Sequence, residues 1–137
     1  MSFDIFLQCF RDGDLATFPR TLVEEIFARD AIAPDFPLTD VHYPDGSGGA
    51  IYGAEDDEIN GLMFNHCGGE MFFAAMYELA HRTSSVIYWP DTRPSIAITE
   101  AETVAHFPKG FGDMGPPEIV KSGQELIDYI GRPDPTL

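Results

Sequence analysis

The string Asn65-His66-Cys67-Gly68-Gly69-Glu70 holds the residues best suited to chemistry. A thiol beside a helix N-terminus is acidified by free backbone donors and the helix dipole, and a histidine can take its proton. Cys67 as nucleophile, with His66 or another histidine as base and Glu70 in support, would make a small hydrolase or transferase. Against this, adjacent residues of an extended segment point to opposite faces, so His66 does not readily serve Cys67. The competing reading is that Gly68 and Gly69 simply turn the chain into a core helix. His42, His81 and His106 complete the histidines, but none stands in a metal-ligand spacing with another ligand. Asp40 and His42 share a strand face and supply only two ligands. The acid run Glu55 to Glu58 lacks the glycine and alternating ligands of a calcium loop. Gly46, Gly48 and Gly49 lead into a strand without the Lys-Ser/Thr pair of a phosphate loop. No metal site and no cofactor are expected.

Charge points elsewhere. The 137 residues carry 23 acidic and 8 basic side chains, a net charge of -15. Spread over a folded surface of about 7,000 Å², that is one net charge per roughly 470 Å², so a charge-dependent function needs clustering. The sequence clusters it: from Asp30 to His81 there is no Lys or Arg, while ten acids fall in the same stretch. Binding to nucleic acid or to an anionic membrane is disfavoured, since neither finds a basic patch. A basic protein partner fits, and general solubility is the bland alternative. Candidate contact residues are Asp45, Glu55, Asp56, Asp57 and Glu58, with Tyr43, Tyr52 and Trp89 as aromatic anchors near turns.

The elements that must position these residues are set by periodicity. Phe3 to Phe10 reads as a strand, and Arg11 to Asp14 as a turn. A helix is expected from about Phe18 to Arg29, with Thr17 as N-cap. Leu38 to Tyr43, Ala50 to Gly53 and Ile59 to Asn65 read as a three-stranded antiparallel meander. A second helix spans about Glu70 to Arg82, with His81 and Arg82 at its negative end. Val86 to Trp89 and Ile96 to Ile98 are short strands about a Pro90 to Pro94 turn. Two capping boxes, Thr99 with Glu102 and Ser122 with Glu125, open short helices, and Gly110 to Pro117 is a loop between them. The order β-α-β-β-β-α-β-β-α-α predicts one α+β domain over residues 1–137, with helices against a mainly antiparallel, partly mixed sheet and a loose tail at 132–137. Two cysteines, no signal peptide and no membrane-length apolar run make the cytosol the expected compartment.

Three stretches, Ser2 to Gln8 (SFDIFLQ), Gly61 to His66 (GLMFNH) and Lys121 to Leu126 (KSGQEL), resemble a family of small uncharacterised bacterial proteins. That resemblance implies a bacterial one-domain protein and lends no catalytic residues. In size, charge and absence of a catalytic motif the chain is also similar to bacterial immunity proteins, acidic partners that occlude basic toxin domains. The leading expectation is therefore an immunity-type inhibitor. A Cys67 enzyme and a self-associating domain with an exposed sheet edge, hence a homodimer, stand as alternatives.

Overall fold

A computed structural model describes residues 4–90, 95–111 and 115–132. The chain is α+β: among these residues three helices pack on a seven-stranded, mostly antiparallel sheet. The strands are β1 (Ile5–Gln8), β2 (Phe10–Arg11), β3 (Asp14–Leu15), β4 (Phe18–Pro19), β5 (Asp40–His42), β6 (Gly48–Tyr52), β7 (Glu58–Ile59), β8 (Gly61–Gly68), β9 (Val86–Trp89), β10 (Ser95–Ile98) and β11 (Glu118–Ile119). The helices are α1 (Arg20–Ala28), α2 (Glu70–Thr83) and α3 (Gly123–Ile130), with a 3₁₀-helix over Ala101–His106. The main sheet runs β11-β10-β9-β1-β8-β6-β5. The expected meander is its β8-β6-β5 side. The β10-β11 pair is parallel, which makes the sheet mixed.

Several boundaries differ from the sequence reading, each because a long-range pairing overrides a local signal. The first strand stops at Gln8, where the Cys9 N–H turns to the Asn60 carbonyl. Asp12 and Gly13 both take positive φ and close a two-residue hairpin between β2 and β3, the type that Asp-Gly favours. α1 begins at Arg20 rather than at Phe18, and Thr17 does not cap it, because Phe18 and Pro19 stay extended to pair with Ile59 and Glu58. Thr99 likewise caps nothing. It is buried at the end of β10, with its hydroxyl 3.2 Å from His81 Nδ1, and the residues after it form the 3₁₀-helix rather than an α-helix. The second capping box does form: Ser122 Oγ accepts the Glu125 N–H at 3.1 Å. Arg132, expected at the head of a loose tail, is instead fixed by a two-pronged pair with Glu118 at 2.7 and 2.8 Å. Residues 133–137 and the 91–94 part of the expected turn lie outside the described residues.

One face of the sheet is closed by the helices. Ile5, Leu7, Val41, Ile51, Leu62 and Phe64 point into it and meet Val23 and Phe27 of α1 and Phe72, Met76 and Leu79 of α2. The rings of Phe27, Phe64 and Phe72 form a triangle with centroids 5.6 to 5.8 Å apart. The other face is covered over β9 and β10 by a second apolar cluster that includes Phe107 and Phe111. Over β8, β6 and β5 it carries Met63, Tyr52, Asn65, Asp40 and His42, at most partly buried. Both sheet edges are short, two residues in β11 and three in β5, and the β5 edge is partly taken because Ile32 donates to the His42 carbonyl. Neither offers a long unpaired ladder for strand addition.

Candidate functional site

The His66-Cys67 step is a β-bulge. Ala50 of β6 faces Asn65 and Gly48 faces Gly68, so Gly49 stands opposite two residues. The extra residue is His66, whose φ of 51° is left-handed. It resets the alternation of β8: Leu62 and Phe64 are buried, then Cys67 rather than His66. The expected divergence of these two side chains is therefore real, and the bulge produces it.

Cys67 faces the core. Its side chain is 2% exposed, and a Cβ on Gly49 would come within 2.8 Å of the Cys67 Cβ and 2.9 Å of the Phe72 ring. Gly49 is what lets the Cys67 Cβ and the Phe72 ring pack against β6. The residue belongs to β8 rather than to a helix terminus, since the N-cap of α2 is Gly69. Burial pushes the thiol up to about 11. At pH 7 that leaves about one thiolate in 10⁴, the opposite of an activated nucleophile. Cys67 fills the core, and the Cys67-His66-Glu70 constellation expected from the sequence is not assembled. Glu70 is exposed in the first turn of α2.

The candidate contact residues divide. Tyr43 is 4% exposed and donates its hydroxyl to the Phe27 carbonyl at 2.6 Å, satisfying a helix-end acceptor of α1, and burial raises its pKa. Trp89 is 3% exposed, on the helix face of β9, with Tyr129 edge-on at 5.1 Å. Neither is the surface anchor expected, because strand alternation turns both inward. Asp45 is also engaged: its Oδ1 accepts the Ser47 N–H (2.8 Å) and hydroxyl (2.6 Å), and its Oδ2 accepts the Met71 N–H (3.2 Å). Ser47 Oγ in turn accepts the Phe72 N–H. The hairpin between β5 and β6 thus caps α2, whose own cap residue Gly69 has no side chain to offer. Gly69 has φ 94°, and a Cβ there would meet the Ser47 Cβ at 2.0 Å.

What remains exposed is Tyr52, at 51%, and the turn Glu55 to Glu58 just beyond it. Asp57 is tied to Arg20 at 3.1 Å, and Arg20 also donates to the Glu55 carbonyl. Glu78 is the other paired acid of the cation-free stretch, held below the usual carboxylate range first by its hydrogen bond from Arg29. Asp30, Asp35, Asp40, Asp45, Glu55, Asp56, Glu58 and Glu70 form no ion pair among the described residues, and all eight are exposed. They do not make one patch. Asp45 and the Glu55 to Glu58 turn lie at opposite ends of β6, about 15 Å apart by strand rise.

Between those ends the open sheet face is hollow. A groove of about 470 Å³ is lined by Asp40, His42, Ala50, His66, Gly46, the glycines of β6 and β8, and Cys67, which is only 2% exposed there. Gly48 and Gly68 face each other across the strands with no side chain to fill the space. The one sequence signal for it is the pairing of two glycine doublets, Gly48-Gly49 with Gly68-Gly69, which becomes legible only once the register is known. Among the described residues no group of three or more His, Cys, Asp or Glu is placed to hold a metal ion. No described helix is long and apolar enough to cross a membrane.

Fold and site together define an α+β protein with a closed helical face, a partly open sheet face and a Cys67 buried in the core. Comparison with protein-family models, with curated proteins and with solved structures gave no match.

Proposed function

We propose that the chain is an acidic binding protein of the immunity type, which occludes a basic toxin or effector domain in the bacterial cytosol. The observation that carries this reading is the set of eight carboxylates, free of ion pairs among the described residues, in a stretch of 52 residues without a cation. Five of them, Asp40, Asp45, Glu55, Asp56 and Glu58, belong to β5, to β7 and to the turns on either side of β6, so they gather toward the two ends of that strand rather than in a single patch. Their field steers a cationic surface toward the two ends of β6, and Tyr52 supplies a rigid contact at the end beside the Glu55 to Glu58 turn. The buried, poorly ionised Cys67 favours binding over covalent chemistry. Two free, buried cysteines suit a reducing compartment.

The test is capture of the basic product of an adjacent gene. Its association rate should fall on the order of tenfold between about 50 and about 500 mM NaCl, with little change in dissociation. Glu55→Gln, Asp56→Asn and Glu58→Gln together should lower the association rate, and Tyr52→Ala should speed dissociation. A salt-independent association, or no basic partner encoded nearby, would sink the reading.

A further inference from the structure

The groove between β5, β6 and the bulge of β8 has a composition that the general acidity of the surface does not account for. Its one formal charge is the Asp40 carboxylate, and its other ring-bearing walls are His42 and His66. No Lys or Arg lines it among the described residues. Its floor is strand backbone: a Cβ on Gly68 would meet nothing within 4 Å, whereas one on Gly48 would collide with the Val41 carbonyl oxygen and come within 3.2 Å of His42 Nδ1, so Gly48 lets β5 and its histidine lie close. At about 470 Å³ it lies in the range of small-ligand pockets, about 300–1,000 Å³. His66 holds the left-handed position of the bulge, φ 51°, where glycine is the unstrained choice. A strained, solvent-facing histidine on the wall of a groove is a candidate for function rather than for packing.

We propose that this groove seats the guanidinium of an arginine carried by the basic partner, an inference that rests on the binding reading above. A guanidinium is planar and weakly hydrated. It pairs with a carboxylate through two parallel hydrogen bonds and stacks on flat rings, and the groove supplies a carboxylate and two imidazole rings. A lysine ammonium matches only the charge. Free arginine adds an α-ammonium and an α-carboxylate that a residue within a chain lacks, and among the described residues the groove lining offers no Lys or Arg to receive that carboxylate. The occupant is therefore an arginine within a chain.

The probe is the capped tripeptide acetyl-Gly-Arg-Gly-amide, titrated while the His42 and His66 ring signals and the Gly48 and Gly68 amides are followed by NMR. The expected result is saturable shifts at those four residues, weaker with free arginine and absent with the neutral citrulline peptide. Asp40→Asn should weaken the peptide about tenfold, as loss of a charge-assisted hydrogen bond does. His66→Gly separates binding from structure: it should weaken the peptide while leaving the urea midpoint unchanged or higher, because it relieves the left-handed strain. Equal shifts with citrulline, shifts confined to the Glu55 to Glu58 turn, or unchanged peptide binding by His66→Gly would each overturn the proposal. The partner gives the last discrimination. If Asp40→Asn and His66→Gly leave capture of a basic partner unaltered, the arginine seat is wrong and the immunity reading stands. If the peptide binds in the groove but no basic partner is found, the groove's chemistry stands and the immunity reading falls.

Discussion

The Asp45 carboxylate accepts three hydrogen bonds, two from Ser47 and one from the Met71 backbone at the start of α2. The Ser47 hydroxyl is the largest cause of its pKa lying below the usual carboxylate value. A depressed folded-state pKa contributes stability that is present above the unfolded value and is lost as pH falls through the folded one. Asp45→Asn keeps an acceptor but has no charge to titrate. The stability difference between the protein and this variant should thus be positive near neutrality and shrink as pH falls through and below the ordinary carboxylate range, read as urea midpoints against pH. A difference that grows on acidification would show that Asp45 is not held ionised by these bonds. Sequence flags Asp45 as a contact residue beside a turn and not as a cap of α2. Its partners Ser47 and Met71 are fixed by a tertiary contact between a hairpin and a helix, which no local pattern encodes. Tyr43 and Trp89 illustrate the same limit: their types suit interfaces, but facing direction depends on register.

α3 reaches α2 through Gly123. A Cβ there would stand 2.7 Å from both the Cα and N of Ala74, backbone atoms that cannot move aside. Gly123→Ala should therefore cost about 1–3 kcal/mol, the range of overpacking. Ser122→Ala, which removes only the cap hydroxyl, should cost about 1 kcal/mol. Chemical denaturation of the two variants checks the order, and a neutral Gly123→Ala would mean that the helices separate freely at this point. α2 is legible to within one residue, because its apolar stripe and end charges agree with its tertiary role. β9 is legible in full for the same reason. The period of β8 predicts an end at Asn65, yet the strand runs to Gly68, since the bulge interrupts the alternation that marks a strand. The two-residue strands β2, β3, β4, β7 and β11 are too short for any period to show.

A net charge of -15 on 7090 Å² of accessible surface sets neighbouring net charges about 20 Å apart, twice the screening length at about 0.1 M salt. Self-repulsion should dominate over the surface ion pairs of Arg29, Arg82 and Arg132, which contribute little each. The melting temperature should rise by about 3–5 °C between about 10 and about 200 mM NaCl and then level off, as measured by circular dichroism. A fall with salt would mean that the ion pairs outweigh the repulsion. The α+β class is readable from the alternation of strand and helix signals. The strand order is not, because β1 sits between β8 and β9, pairings that join the start of the chain to its middle. The acids of the cation-free stretch are countable in the sequence, but their division between the two ends of β6 depends on that order.

The single tryptophan lies beneath the last helix, its indole covered by the Tyr129 ring. Its fluorescence therefore monitors one particular seam of the molecule. Emission that reddens before the far-ultraviolet ellipticity is lost would report a peeling of the C-terminal segment, whereas coincident curves would mark a chain that melts as one unit.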